Sequence, residues 1–299
     1  MDRKASWEPA PETGISIDWI EANGLTFEVA QCGEGDHLAL CLHGFPELHY
    51  SWRHQIPLLA EMGYRVWAPN LRGYGGTSRP EGVRNYALDH LTHDIAALID
   101  ASGAKKVTLI AHDWGAIIAW QFAILKLRPL ERLVIMNVPH PEVLRRELKT
   151  WEQRKKSWYV FFFQLPWLPE WRLGSNEGRA IGSLFAKTSS NPERFGPDVQ
   201  AVYAAAANRP GAPAAMVNYY RAAMRHRDTV NLGDFRIETP TLMVWGEEDV
   251  ALNINCTVGT EEWVPNLTLQ RLAGVSHWVQ QDAPDEVNTI LKNWLPSPV

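Results

Sequence analysis

The sequence predicts an α/β architecture: a mostly parallel sheet layered with helices, carrying a helical insertion. Three observations carry that expectation. Apolar runs of strand length alternate with segments of helical length, as in successive βα units. The runs are β-branched and apolar without strict alternation, as strands covered on both faces are. The alternation then stops after Asn137-Val-Pro-His-Pro141 and resumes near Ile237-Glu-Thr-Pro240, with proline at both edges.

Taken in order, Ile15–Glu21 and Leu25–Gln31 read as strands joined by Ala22-Asn23-Gly24, a glycine-containing hairpin link. Leu38–Leu42, Arg65–Ala68, Val107–Ala111 and Leu133–Asn137 continue the sheet, and Thr241–Trp245 and Thr268–Leu272 complete it. Ser51–Met62, Tyr86–Ala101, Ala116–Lys126 and Pro284–Trp294 read as the helices between and after them. The interruption is aromatic and helix-prone, with Trp151, Trp158, Trp167, Trp171 and the run Ala204–Ala207. The expected organisation is therefore a core of 1–138 and 236–299 with a helical cap of 139–235. Neither an internal repeat nor a low-complexity stretch is visible.

A length of 299 residues suits one large domain or a core with an insertion. The net charge of -5 gives no reason to expect a nucleic-acid partner, and Arg154-Lys155-Lys156 reads as a solvated helix face. Cys32, Cys41 and Cys256 are scattered and odd in number, which argues for reduced thiols and a cytoplasmic location. The N-terminal residues lack an apolar signal region, and no run has the length of a membrane span. No His, Cys or carboxylate cluster has ligand spacing, so neither a metal nor another cofactor is expected.

The chemistry concentrates at Val107-Thr-Leu-Ile-Ala-His-Asp-Trp-Gly-Ala116, a buried strand running into a sharp turn and a helix. That is the setting of a nucleophile elbow, G-x-S-x-G, with Asp113 where serine usually stands. A carboxylate forms an alkyl ester at an electrophilic sp³ carbon, whereas serine forms an acyl ester at a carbonyl. It is ionised at pH 7, with an ordinary pKa near 4, and needs orientation and partial desolvation more than a base. The competing reading of Asp113 alone is a helix N-cap.

Other segments weigh against the N-cap. Cys41-Leu-His-Gly-Phe-Pro-Glu47 follows a strand. Gly44 permits close backbone approach there and Pro46 fixes the loop. The backbone N–H groups of Phe45 and Trp114 are the candidate oxyanion donors. His43, Gly44, Pro46 and His112 are assigned to the substrate pocket, the two histidines shaping it through hydrogen bonds. Late in the chain, Trp245-Gly-Glu-Glu-Asp-Val250 and Gly274-Val-Ser-His-Trp278 each follow a strand. They give the order nucleophile Asp113, acid Asp249, base His277. Glu247 and Glu248 are rival acids, and Asn137 at the end of the sixth strand is neutral. His277 is expected to be neutral at pH 7, with a pKa near 6.5.

Together these motifs resemble the α/β-hydrolase superfamily, and within it the soluble epoxide hydrolase family. The signatures are H-G-F-P (His43–Pro46), R-G-Y-G (Arg72–Gly75) and H-D-W-G (His112–Gly115). The resemblance covers nearly all of the chain after about residue 15 and implies conversion of epoxides to vicinal diols through an ester on Asp113. It also implies two cap tyrosines that protonate the opened ring. Tyr159 in Trp158-Tyr-Val-Phe-Phe-Phe-Gln-Leu-Pro166 and Tyr220 in Asn218-Tyr-Tyr-Arg221 match the family's motifs, with Tyr219 the neighbouring competitor. The expected partners are a small apolar or aromatic epoxide and water, and the reading allows a homodimer. Two departures concern loop geometry: Ser276 stands where glycine is common, and Asn70 where aspartate often precedes R-G-Y-G.

Two further readings share the scaffold. A haloalkane or haloacetate dehalogenase would use the same aspartate. The first needs a second halide donor, often Asn at the place of Phe45. The second needs arginines where Trp114 and Gly115 stand. A non-catalytic binding protein would usually have lost the acid, the base or the donors.

Overall fold

The computed structural model of the protein describes residues 4–226 and 234–298. The stretch 227–233, inside the expected insertion, and residues 1–3 and 299 lie outside the described residues. The strands β1 (Ser16–Ala22) and β2 (Leu25–Cys32) form the hairpin. Its turn residues Asn23 and Gly24 have φ of 48° and 70°, the left-handed backbone that a two-residue hairpin turn requires. There follow β3 (His37–Leu42), α1 (Gln55–Glu61), β4 (Arg65–Pro69), α2 (Leu88–Ser102), β5 (Lys106–His112), α3 (Trp114–Ile124) and β6 (Arg132–Met136).

A run of helices comes next: α4 (Pro141–Glu147), α5 (Trp151–Lys156), α6 (Trp158–Phe162), α7 (Leu168–Gly174), α8 (Arg179–Thr188), α9 (Pro197–Ala207) and α10 (Ala212–Arg225). The chain then closes with β7 (Thr241–Gly246), β8 (Leu267–Leu272), α11 (Val279–Asp282) and α12 (Pro284–Trp294).

The strand order is β1-β2-β4-β3-β5-β6-β7-β8. The β1/β2 and β2/β4 pairs are antiparallel and the remaining pairs parallel. Burial on both faces explains why the central strands do not alternate in hydropathy. Leu38, Leu40 and Leu42 of β3 enter one core with Leu109 and Ile135. Ala39 and Cys41 enter the other with Ile110, Val134 and Met136. Successive side chains point to opposite faces, so both parities must be apolar.

Strand boundaries agree with the sequence reading to within one residue. The helix expected over Ser51–Met62 is split into a 3₁₀ turn at His49–Trp52 and α1. Pro57 sits at the third position of α1, where it lacks an N–H and crowds the preceding turn, so the helix cannot extend back through Arg53. Among the described residues no helix is long and apolar enough to cross a membrane.

Candidate active site

Asp113 lies between β5 and α3 with φ 47° and ψ −122°. A non-glycine residue pays for such a backbone in conformational energy and holds it only when its surroundings over-determine it. The surroundings here are packed closely. A Cβ at Gly115 would collide with the Leu42 carbonyl, and one at Gly44 with the side chain of Asp113. The elbow is thereby pressed against the β3 loop, where the Phe45–Pro46 bond is cis. The Phe45 N–H donates to Asp113 Oδ1 at 2.6 Å. Trp114 opens α3, so its N–H is among those left without an intrahelical acceptor.

His277 meets this carboxylate from the loop after β8, its Nε2 3.5 Å from Asp113 Oδ2. Its Nδ1 is 2.6 Å from Asp249 Oδ2. Asp249 is fixed in turn. Oδ2 accepts from Asn137 Nδ2 at 2.7 Å, and Oδ1 accepts from the Ala251 and Leu252 N–H groups at 2.7 and 2.9 Å. Glu247 and Glu248, the rival acids, are exposed. Burial disfavours a charge on His277, but Asp249 and Asp113 outweigh it and hold the imidazole pKa up at about 10. Burial likewise opposes ionisation of both aspartates, and the facing imidazole keeps each below the usual carboxylate range. The resting site is therefore an imidazolium between two carboxylates. This corrects the expectation of a neutral His277, which treated its pKa as unperturbed.

The same end of the sheet holds a third buried carboxylate, that of Glu47. Glu47 Oε2 lies 2.7 Å from His112 Nδ1 and accepts from the Gly44 N–H at 2.9 Å. Its Oε1 accepts from the side-chain amides of Gln280 and Gln281, both at 2.8 Å. His112 Nε2 faces the His277 carbonyl at 2.8 Å. The network joins the β3 loop, the residue before the elbow and the backbone of His277.

Asp113 and His277 open onto a cavity of about 490 Å³ lined mainly by apolar side chains, among them Phe45, Phe162, Phe163, Leu173, Ile181, Leu184 and Trp278. Tyr159 of α6 and Tyr220 of α10 also line it, their ring centroids 5.8 Å apart. Burial pushes both phenols up, and the Asp113 charge adds to it. Both hydroxyls are thus proton donors at neutral pH. Tyr219 is turned the other way, donating to the Arg72 carbonyl at 2.8 Å. Arg221 ties the two tyrosine-bearing helices together by donating to the Phe163 and Leu165 carbonyls and to Glu170.

The pocket assignment of four residues needs correction. His43, Gly44, Pro46 and His112 are buried behind the cavity rather than in its lining. His43 accepts from the Leu71 N–H at Nε2 and faces the Gly44 carbonyl from Nδ1, and burial lowers its pKa to about 4. It is a neutral brace. Sequence reasoning did not single out Glu47, Gln280, Gln281 or Asn137 as parts of the site. The string His43–Glu47 contained the first, but nothing in it pairs Glu47 with residues more than 230 positions away.

A family profile described as the alpha/beta hydrolase fold matches residues 40–284. The chain is 39% identical over 284 residues to epoxide hydrolase 4 of Homo sapiens, covering 92% of this chain and 77% of that protein. It is 36% identical over 284 residues to an AB hydrolase superfamily protein of Bacillus subtilis, covering 94% and 98%. Among solved structures it is similar to an epoxide hydrolase from Vigna radiata. There the TM-score is 0.82 at 30% identity, with coverage of 96% of this chain and 99% of that one.

The chain belongs to the epoxide hydrolase family of the α/β-hydrolase superfamily.

Its departures from the family's motifs have local physical reasons. Asn70 donates to Glu28 Oε2 at 2.8 Å and to Ser6 Oγ at 2.9 Å, and accepts the His49 N–H at 2.8 Å. An aspartate there would set a second carboxylate against Glu28. Ser276 is anchored by its N–H to Asp282 at 2.9 Å, and its hydroxyl accepts the Trp278 N–H. The loop before His277 is therefore held without a glycine.

Proposed function

We propose that the protein hydrolyses epoxides to vicinal diols in two steps, with Asp113 as nucleophile, His277 and Asp249 as the water-activating pair, and Tyr159 and Tyr220 as acids. The helices α4–α10 act as a cap that completes the pocket, and the core of 1–138 and 236–299 carries the nucleophile and base. In the first step an Asp113 oxygen bonds to an epoxide carbon. The carbon–oxygen bond of the ring breaks, and its electron pair goes to the ring oxygen, which takes a proton from one of the tyrosines. In the second step His277 takes a proton from water. The hydroxide adds to the ester carbonyl, the Phe45 and Trp114 N–H groups stabilise the oxyanion, and collapse releases the diol. In that collapse the ester carbon–oxygen bond breaks and the departing alkoxide takes the proton of the added hydroxyl, which returns Asp113 as a carboxylate. The proton that His277 carried at rest goes to the phenolate and the one it takes from water restores it, so the sum is epoxide plus water giving diol.

Esterification itself arms the base. It removes the negative charge on Asp113 that helps hold His277 protonated. The imidazole can then shed its proton and accept one from water at neutral pH.

The single observation that carries this reading is the pair of protonated tyrosines on the cavity that holds Asp113. An alkoxide leaving group needs such donors, whereas a departing halide needs no proton. The apolar lining supports an apolar or aromatic epoxide. The test is a parallel assay for diol from an aryl epoxide and for halide from an alkyl chloride, with Asp113→Ala as control. Diol without halide, abolished in the variant, is the expected result. Halide release, or diol formation surviving in the variant, overturns the assignment.

A further inference from the structure

Large apolar side chains left in solvent are unevenly distributed over the molecule. Trp151, Trp158, Phe161, Leu165, Trp167 and Trp171 all lie in α5–α7 and their connections, and Trp151 and Trp167 are each 71% exposed. Trp151 opens α5, Trp158 and Phe161 lie in α6, and Leu165 follows in the connection to α7, so the exposed side chains gather in one short stretch of the chain. Trp167 stands at the N-cap of α7, which carries Trp171. Single exposed apolar residues are ordinary, but a contiguous band marks an interaction surface.

The charges among these aromatics have one predominant sign. Lys149, Arg154, Lys155 and Arg172 are exposed between residues 148 and 172, where the exposed carboxylate is that of Glu152. The other acid of the stretch, Glu170, is taken up by Arg221. This local excess of cations stands on a chain whose net charge is -5. Lys155 lies 5.3 Å over the Trp151 ring, so aromatic and cation share one face. The band also reaches the cavity: Trp158 and Arg172 are exposed and line it.

Tryptophan and phenylalanine interleaved with lysine and arginine on short surface helices suit the boundary between lipid headgroups and acyl chains. We propose that this face of α5–α7 docks on the surface of an anionic bilayer, with the cavity mouth against the lipid. An apolar substrate dissolved in the bilayer then reaches the site without crossing water. Two copies meeting through the same face would bring four like charges from each side together, which opposes self-association.

The experiment is flotation of the whole protein with vesicles of phosphatidylcholine plus phosphatidylserine, against phosphatidylcholine alone, at low and high salt. It reads binding and needs no turnover, so it stands or falls apart from the epoxide assignment. The wild type is expected to float with the anionic vesicles and to be released by salt. The triple variant Trp151→Ser, Phe161→Ser, Trp167→Ser removes exposed side chains outside the cavity lining. It should lose about ten-fold or more in partitioning. Lys149→Gln, Arg154→Gln and Lys155→Gln should each cost about five-fold. A wild type that stays unbound with both vesicles overturns the proposal, as does a triple variant that floats equally well. So does a concentration-dependent dimer abolished by the same substitutions, which would assign the face to a second copy.

Discussion

Asp113→Asn is the most informative single perturbation, because it mimics the loss of charge that esterification brings. In the wild type His277 Nε2 sits 3.5 Å from Asp113 Oδ2. At an effective dielectric of about 20, a unit charge at that distance contributes about 5 kcal/mol, or roughly 3.5 pH units. Removing it should bring the imidazole from about 10 down to roughly 6–7, while Asp249 and its hydrogen bonds remain. That is the range in which a histidine serves as a base at neutral pH. The measurement is an NMR titration of the His277 ring nitrogens in both proteins, assigned with a His277→Gln control. An Asp113→Asn protein whose His277 still titrates above about 9 would refute the reasoning that the nucleophile's charge controls the base.

His277→Gln should form the ester and fail to release it, so intact mass after epoxide treatment should show one adduct; an unmodified protein contradicts the two-step order. Replacing Tyr159 and Tyr220 together by Phe should slow ester formation by about 10² or more, since general-acid assistance typically supplies 10²–10⁴. Stopped-flow single turnovers read this directly, and a loss below about ten-fold places the donors elsewhere. The His277 pKa lies above its unfolded value, so its contribution to stability is complete below about 6.5 and is lost as pH rises through about 10. Calorimetric Tm should fall across that window in the wild type and fall less in Asp113→Asn; parallel profiles would contradict the sign. Asn70→Asp sets a carboxylate against Glu28, which the surrounding contacts hold at about 2 despite its burial. It should cost about 2 kcal/mol in urea unfolding at pH 7 and less on acidification.

Much of the fold was legible because its signals are local. Both faces of β3, β5 and β6 are apolar, and that shows in the residues themselves. The Asn23-Gly24 turn announces its own backbone. The elbow was also legible, since Asp113 sits between a strand and a helix that each declare themselves. Asp113, Asp249 and His277 converge because each ends a parallel strand or follows one, so strand order alone brings the three loops to one end. What the sequence concealed is long-range and polar. Glu47 meets Gln280 and Gln281, and Asn137 meets Asp249, through contacts that no periodicity encodes. The elevated pKa of His277 follows from two distances and burial, and composition carries neither. His43 and His112 open two of the signature motifs, yet which side of the cavity wall a residue occupies depends on packing depth.

Arg221 has a further consequence. It fastens the loop after α6 to α10, so the two tyrosines are held on one braced unit. Asp113 and His277 sit in turns that follow strands of the sheet. Part of the remaining lining, Ile181 and Leu184 of α8, comes from a helix that Arg221 does not touch. Reactivity and selectivity are thus written on different parts of the chain. Altering those wall residues can reshape which epoxides and which enantiomers enter while the reacting groups keep their places. For a laboratory library, the wall of α8 is the place to diversify, and Arg221 is the one to leave alone.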